Sequence, residues 1–343
     1  MNSTELPPSA RLLAAILFVA MWIRGYTKPV PPGIPFLDVP ALLLDEDIMR
    51  PLLKGLVYSG MILFALGWSP RVGCLIAGLS LVVQTLLGME NFSNGRLFAG
   101  LLLMLIGLYR NERGLFFLRA QVLLLYLGAV LSKAIDPDWW NGRALTAVMR
   151  FHPSSAAWAN ETWFTMSGGW LTIAVEASIF VFLLIPATRW VAGLLCLGFH
   201  TALAVILTED FGVFYYAVAG SILLFLDLPT PTSARLPRWL AVASRYGLFD
   251  GMRTEQTSTG PATLQTPDRV FVGCEAIWVG VAFSPIGLLV PVALANQLSV
   301  QGAFTLRSVS LILFAGFLGG AIVLTLGPRR IRRVRTACSS RAS

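Results

Sequence analysis

Residues 121–145 read QVLLLYLGAVLSKAIDPDWWNGRAL. From Val122 to Leu131 there is no charge, and the one polar group is the Tyr126 hydroxyl. The run then reaches Lys133 and is stopped by Asp136-Pro137-Asp138, since proline has no amide hydrogen to continue a helix. Trp139 and Trp140 suit a membrane–water interface, and Gly142 permits a tight turn. An apolar helix with no polar face, closed by a charge and interfacial aromatics, reads as a membrane span.

The same pattern recurs outward in both directions. Apolar runs lie near 11–27, 52–68, 71–88, 97–109, 118–134, 169–188, 190–207, 211–227, 270–293 and 307–326, with the fourth extending back toward Asn94. The composition agrees: 56% of the 343 residues are hydrophobic, 13% are charged and mean hydropathy is +0.71. Soluble domains carry about 25% charged residues, so a soluble enzyme and a disordered chain are both excluded. The expected fold is an all-α polytopic membrane protein of about ten transmembrane helices with both termini cytoplasmic. No alternating pattern supports a barrel. Residues 1–26 read as a retained first helix, because Glu5 and two prolines occupy the place of a signal peptide's basic region.

The net charge of +8 could signal an acidic partner. Sorted by the ten spans, the inner segments hold 17 Lys/Arg and 5 Asp/Glu, and the outer segments 6 and 10. Lys/Arg excess marks the cytoplasmic side, so the charge records orientation. It gives no support for nucleic acid as a partner, since no aromatic platform accompanies the arginines. The expected division is a bundle over 1–228, a cytoplasmic loop over 229–268, a two-helix appendix over 269–328 and a basic tail over 329–343. Four cysteines without CxxC spacing and two histidines point to no disulfide framework and no metal.

Ionisable groups inside spans are costly and default to functional candidates. Lys133, Glu176 and His200 fall at similar depth on the outer side by residue count. Each has a plain alternative. Lys133 could snorkel to the headgroups, Glu176 could fix helix packing, and His200 could be a neutral histidine bonded between helices. A lysine held between an apolar helix and a tryptophan lid would be partly desolvated, which disfavours its charge, while the nearby Asp136 and Asp138 push the other way.

The pattern Tyr126, Lys133, Trp139 or Trp140, Gly142, Glu176, then Phe199-His200 with Phe211 and Phe214, resembles the vitamin K-dependent gamma-carboxylase family. More broadly it resembles the horizontally transferred transmembrane (HTTM) domain group of bacteria. The similar stretch runs over about 91–227. The resemblance implies that Lys133 is a base deprotonating a quinol, with His200 and Glu176 at the catalytic centre. It implies that Tyr126, Trp139, Trp140 and Gly142 line a quinone cofactor pocket facing outward. It also implies a multi-pass protein of a bacterial plasma (inner) membrane. The chain departs from the carboxylases in three places, the first being Lys133, one residue further from the tryptophan-glycine pair if Trp139 neighbours the matching tryptophan. Their Asn-His pair before the fourth helix reads Asn94-Gly95 here, and no large extramembrane substrate domain follows. Full carboxylation is therefore not expected. Two functions are weighed: a quinol-dependent or proton-abstracting membrane enzyme, and a non-catalytic accessory in peptide or lipoprotein maturation. The partners in view are membrane lipids, a quinone, or a membrane or secreted protein. A transporter has less behind it, with no inverted repeat and no helix broken at mid-membrane.

Overall fold

The computed structural model describes residues 6–23, 46–86, 94–109, 112–150, 156–206, 212–226, 233–237, 253–256, 261–265, 270–282 and 304–326, with isolated positions between 290 and 294. The basic tail, the proline-rich segment before Asp45, His152, Phe211 and Asp227 lie outside these residues. The helices are α1 (Pro8–Ile23), α2 (Glu46–Ala65), α3 (Pro70–Leu86), α4 (Asn94–Leu108), α5 (Glu112–Ile135), α6 (Pro137–Trp140), α7 (Arg143–Arg150), α8 (Thr162–Leu184), α9 (Arg189–Ile206), α10 (Gly212–Ser221), α11 (Cys274–Ala282) and α12 (Phe304–Leu326). Among the described residues, three stretches are long and apolar enough to cross a membrane: Gly114–Ile135, Thr162–Leu184 and Pro186–Val205. Six further apolar helices are shorter, 10 to 17 residues. The expected count of ten spans is thus met only in part.

Two expectations need correction. The fold is not purely helical, because four short strands form a sheet in the order β2-β1-β3-β4. They are β1 (Ser233–Leu236), β2 (Arg253–Gln256), β3 (Thr263–Gln265) and β4 (Val270–Val272); β1 and β2 run parallel, the other pairs antiparallel. Three of the strands fall in the segment read as a loop, where β-propensity is hidden among turn residues. The run over 270–293 is not one continuous helix either. It opens as β4, turns at Gly273 with φ +64°, and only then enters α11.

Beyond Arg11 in its first turn, helix α1 has no charged residue and is buried almost all round, from Leu12 to Met21. A helix apolar on every side belongs in the middle of a bundle. It packs against α10, whose residues 215–219 and the following 3-10 turn, Ile222–Phe225, are buried as well. Around this centre α2, α3 and α4 approach closely through glycines. A Cβ on Gly60 would lie 2.5 Å from the Gly73 carbonyl oxygen, and one on Gly78 would lie 2.7 Å from that of Gly100. Small residues give membrane helices the close contact that lipid-like side chains cannot. Helix α12 packs into the same core. Phe314 is fully buried, with its ring 6.0 Å from Tyr215 and 5.6 Å from Tyr216. The outward faces of α5 and α8 carry Phe116, Leu124, Leu131, Leu171 and Val181, as lipid-facing surfaces should.

Candidate functional site

The site begins at the end of α5. Asp136 caps α6 by accepting from the Asp138 amide at 3.0 Å, and Pro137 sits where the first helical position needs no amide hydrogen. The Trp140 indole donates to the Ala134 carbonyl at 2.8 Å, satisfying an acceptor that the ending α5 leaves bare. Gly142 then turns the chain with φ +81°. Its backbone rests so close to α8 that a Cβ would lie 2.6 Å from the Met166 amide nitrogen. These contacts lay α6 and α7 along the first turns of α8.

Helix α8 presents one stripe to the protein: Thr165, Gly169, Thr172, Glu176, Ile179 and Leu183 are buried, each three or four residues from the next. That spacing is a single helical face. The threonines bond back to their own helix, Thr172 to the Gly168 carbonyl at 2.8 Å and Thr165 to Thr162 and Glu161. Glu176 has a partner from elsewhere. Lys133 Nζ donates to Glu176 Oε2 at 2.8 Å and Oε1 at 3.0 Å, and to its own helix at the Ala129 carbonyl, 3.4 Å away. The Trp139 ring centroid lies 5.1 Å from the same nitrogen, a cation–π contact. The side chains of Lys133 and Glu176 are 15% and 9% exposed. Lys133 therefore does not snorkel. It is two residues from the end of α5, yet meets α8 fourteen residues in, or ~21 Å along the helix at 1.5 Å per residue. The first half of α8 runs beyond the end of α5, and α6–α7 cover the pair.

A second polar group lies two turns away on α5. The Tyr126 hydroxyl is 3.0 Å from His200 Nε2 and 3.1 Å from Cys196 Sγ, and all three residues are buried. Tyr126 and Lys133 are seven residues apart, on one face of α5. Cys196 and His200 are four apart, on one face of α9. The His200 ring is surrounded by Phe199, Tyr126 and Phe214, with centroids 5.0, 6.0 and 6.2 Å away. Phe214 in turn presses on Gly95, where a Cβ would lie 2.7 Å from the Phe214 Cβ.

The expected site residues thus separate into three places. Lys133, Glu176 and Trp139 come together. Tyr126 and His200 form the second group, joined by Cys196, which sequence reading left among the apolar positions. Its four-residue spacing from His200 was the available signal. Trp140 belongs to the cap, with its ring 5.8 Å from Trp170 and its carbonyl accepting from the Trp170 indole at 2.9 Å. Gly142 is the turn. Among the described residues no cluster of three or more His, Cys, Asp or Glu could hold a metal ion.

The family model of the HTTM domain matches residues 111–228, about a third of the chain, and the apolar helices in that stretch suit a membrane protein. The match takes in α5 through α10, and so every residue of both polar groups. It begins after Asn94-Gly95, so the similar stretch is shorter at its start than 91–227. No curated protein and no solved structure matches the chain.

Proposed function

We propose that this HTTM-domain protein binds a quinone or a lipid beside Lys133 in the plasma membrane of a bacterium, with Lys133 as a base. The observation that carries this reading is the double contact of Lys133 with Glu176. An ammonium has three hydrogens and no lone pair, and here Glu176 Oε1, Oε2 and the Ala129 carbonyl stand within reach of them. A base must first lose one, and the nearest acceptor is Glu176. Transfer leaves a neutral amine and a neutral carboxyl, the pair being one proton-exchanging unit shielded by Trp139. The test is quinol oxidation by protein in lipid nanodiscs, with a short-chain naphthohydroquinone as probe. Lys133→Ala and Glu176→Gln should each lower oxygen-dependent turnover by at least about 100-fold, the usual worth of a positioned acid–base group. Equal turnover in the Lys133→Ala variant sinks the reading.

The accessory role has its own supporting observation, the aromatic packing around His200. Where the carboxylases place a histidine this chain has Gly95, and the Phe214 side chain stands against it. A protein filled in this way serves as a scaffold, with the Lys133–Glu176 pair fixing α5 against α8. Co-purification with a fixed stoichiometric partner, together with no turnover, would favour this second reading.

A further inference from the structure

Tyr126 is the middle of a chain of four groups. Beyond Cys196, at 3.1 Å, the thiol sulfur lies 3.9 Å from the Val218 carbonyl oxygen on α10. On the other side stands His200 Nε2, 3.0 Å from the hydroxyl. The direction of these bonds follows from counting hydrogens. A thiol and a phenol each have one to give, and a carbonyl oxygen can only accept. With the Cys196 hydrogen on Val218, the sulfur is left to accept from Tyr126. Tyr126, with its hydrogen so placed, must accept from His200. The Val218 oxygen, which serves its own helix, also accepts from Ser221 Oγ at 2.7 Å.

We infer that Cys196 and Tyr126 are positioning residues that fix the tautomer of His200, so that in its neutral form the ring carries its hydrogen on Nε2 and its basic nitrogen is Nδ1. A thiol that packs like a small apolar side chain thus decides which nitrogen of a buried imidazole can accept a proton. The use of that nitrogen in chemistry rests on the quinol reading above; the tautomer itself does not.

The chain has two histidines, so His152→Gln leaves His200 as the sole imidazole. Nitrogen-15 NMR of the full-length, histidine-labelled variant in nanodiscs separates a protonated from an unprotonated ring nitrogen at each position. The expected spectrum has hydrogen on Nε2. Adding Cys196→Ala removes the acceptor for Tyr126, whose hydroxyl then turns and donates to Nε2, moving the ring hydrogen to Nδ1. One ordinary hydrogen bond corresponds to a swing of about fivefold in the tautomer ratio. Cys196→Ser, which keeps one hydrogen and one acceptor, should restore the Nε2 form. Hydrogen on Nδ1 in the His152→Gln protein, or a ratio that Cys196→Ala leaves unchanged, overturns the inference. If Cys196→Ala does not fold, the His152→Gln spectrum and the serine variant still decide it. No ligand enters the measurement, so failure of quinol turnover and failure of this inference are separate results.

Discussion

Lys133 reaches Glu176 across two helices with both carboxylate oxygens inside 3.0 Å, although one residue lies near the end of its helix and the other in the middle of its own. Coulomb attraction between partly buried charges is offset by the cost of removing each from water. Deleting one partner leaves the other charged and uncompensated. Lys133→Met or Glu176→Leu alone should lower stability by about 3 kcal/mol. The double variant, which removes both charges, should recover most of that loss. Thermal unfolding of the three variants in one detergent checks this; additive losses would mean the two residues do not act as a pair.

Gly142 supports the cover over that pair. Its φ of +81° is a conformation that residues with a side chain rarely adopt, and α8 leaves no room for a Cβ. Gly142→Ala should cost about 1–3 kcal/mol of local strain. It should also open α6–α7, which protease sensitivity after Arg143 or Arg150 would register. The nearby Ser167→Ala changes an exposed side chain and serves as control. Equal protection in both would show that the turn does not hold the cover.

How far these features were legible in the sequence depends on whether the signal was local. The Asp136-Pro137-Asp138 stop and the Trp139 lid could be read because they act within six residues of Lys133. The depth of Lys133 could not. Counting from the apolar run over 169–188 puts Glu176 seven residues in, whereas α8 begins at Thr162, because the tryptophans and threonines ahead of the run continue the same helix. Those polar and interfacial residues look like a loop when hydropathy is the guide. The Tyr126–Cys196 contact joins residues 70 apart in the chain, and no pattern within one helix predicts such a partner. The sheet escaped for the opposite reason: its strands are three or four residues long, too short to show a period.

The charge asymmetry predicts an orientation. An excess of 12 basic over acidic residues on one set of segments, against an acidic excess of 4 on the other, should place residue 150 outside and residue 343 inside. Alkaline phosphatase fused after Arg150 should be active, and green fluorescent protein fused at the C-terminus should fluoresce. The reverse pair of signals would invert the topology and turn Lys133 toward the cytoplasm.

Gly95 offers the sharpest comparison with the carboxylase pattern. A Cβ there would stand 2.7 Å from the Phe214 Cβ and 3.3 Å from its Cα, and Phe214 packs edge-on against His200. Forcing a side chain into such a place displaces neighbours at about 1–3 kcal/mol or more. Gly95→His alone should therefore destabilise the protein and disturb the His200 environment. The nearest atoms, the Phe214 Cβ, Cα and N, are not ring atoms. Phe214→Ala leaves the Cβ and Cα in place, so the Gly95→His/Phe214→Ala pair should regain only a fraction of the lost stability. Near-full recovery in thermal unfolding would mean that ring bulk, not helix proximity, is what keeps residue 95 small. In that case a histidine could be installed here with a single compensating change.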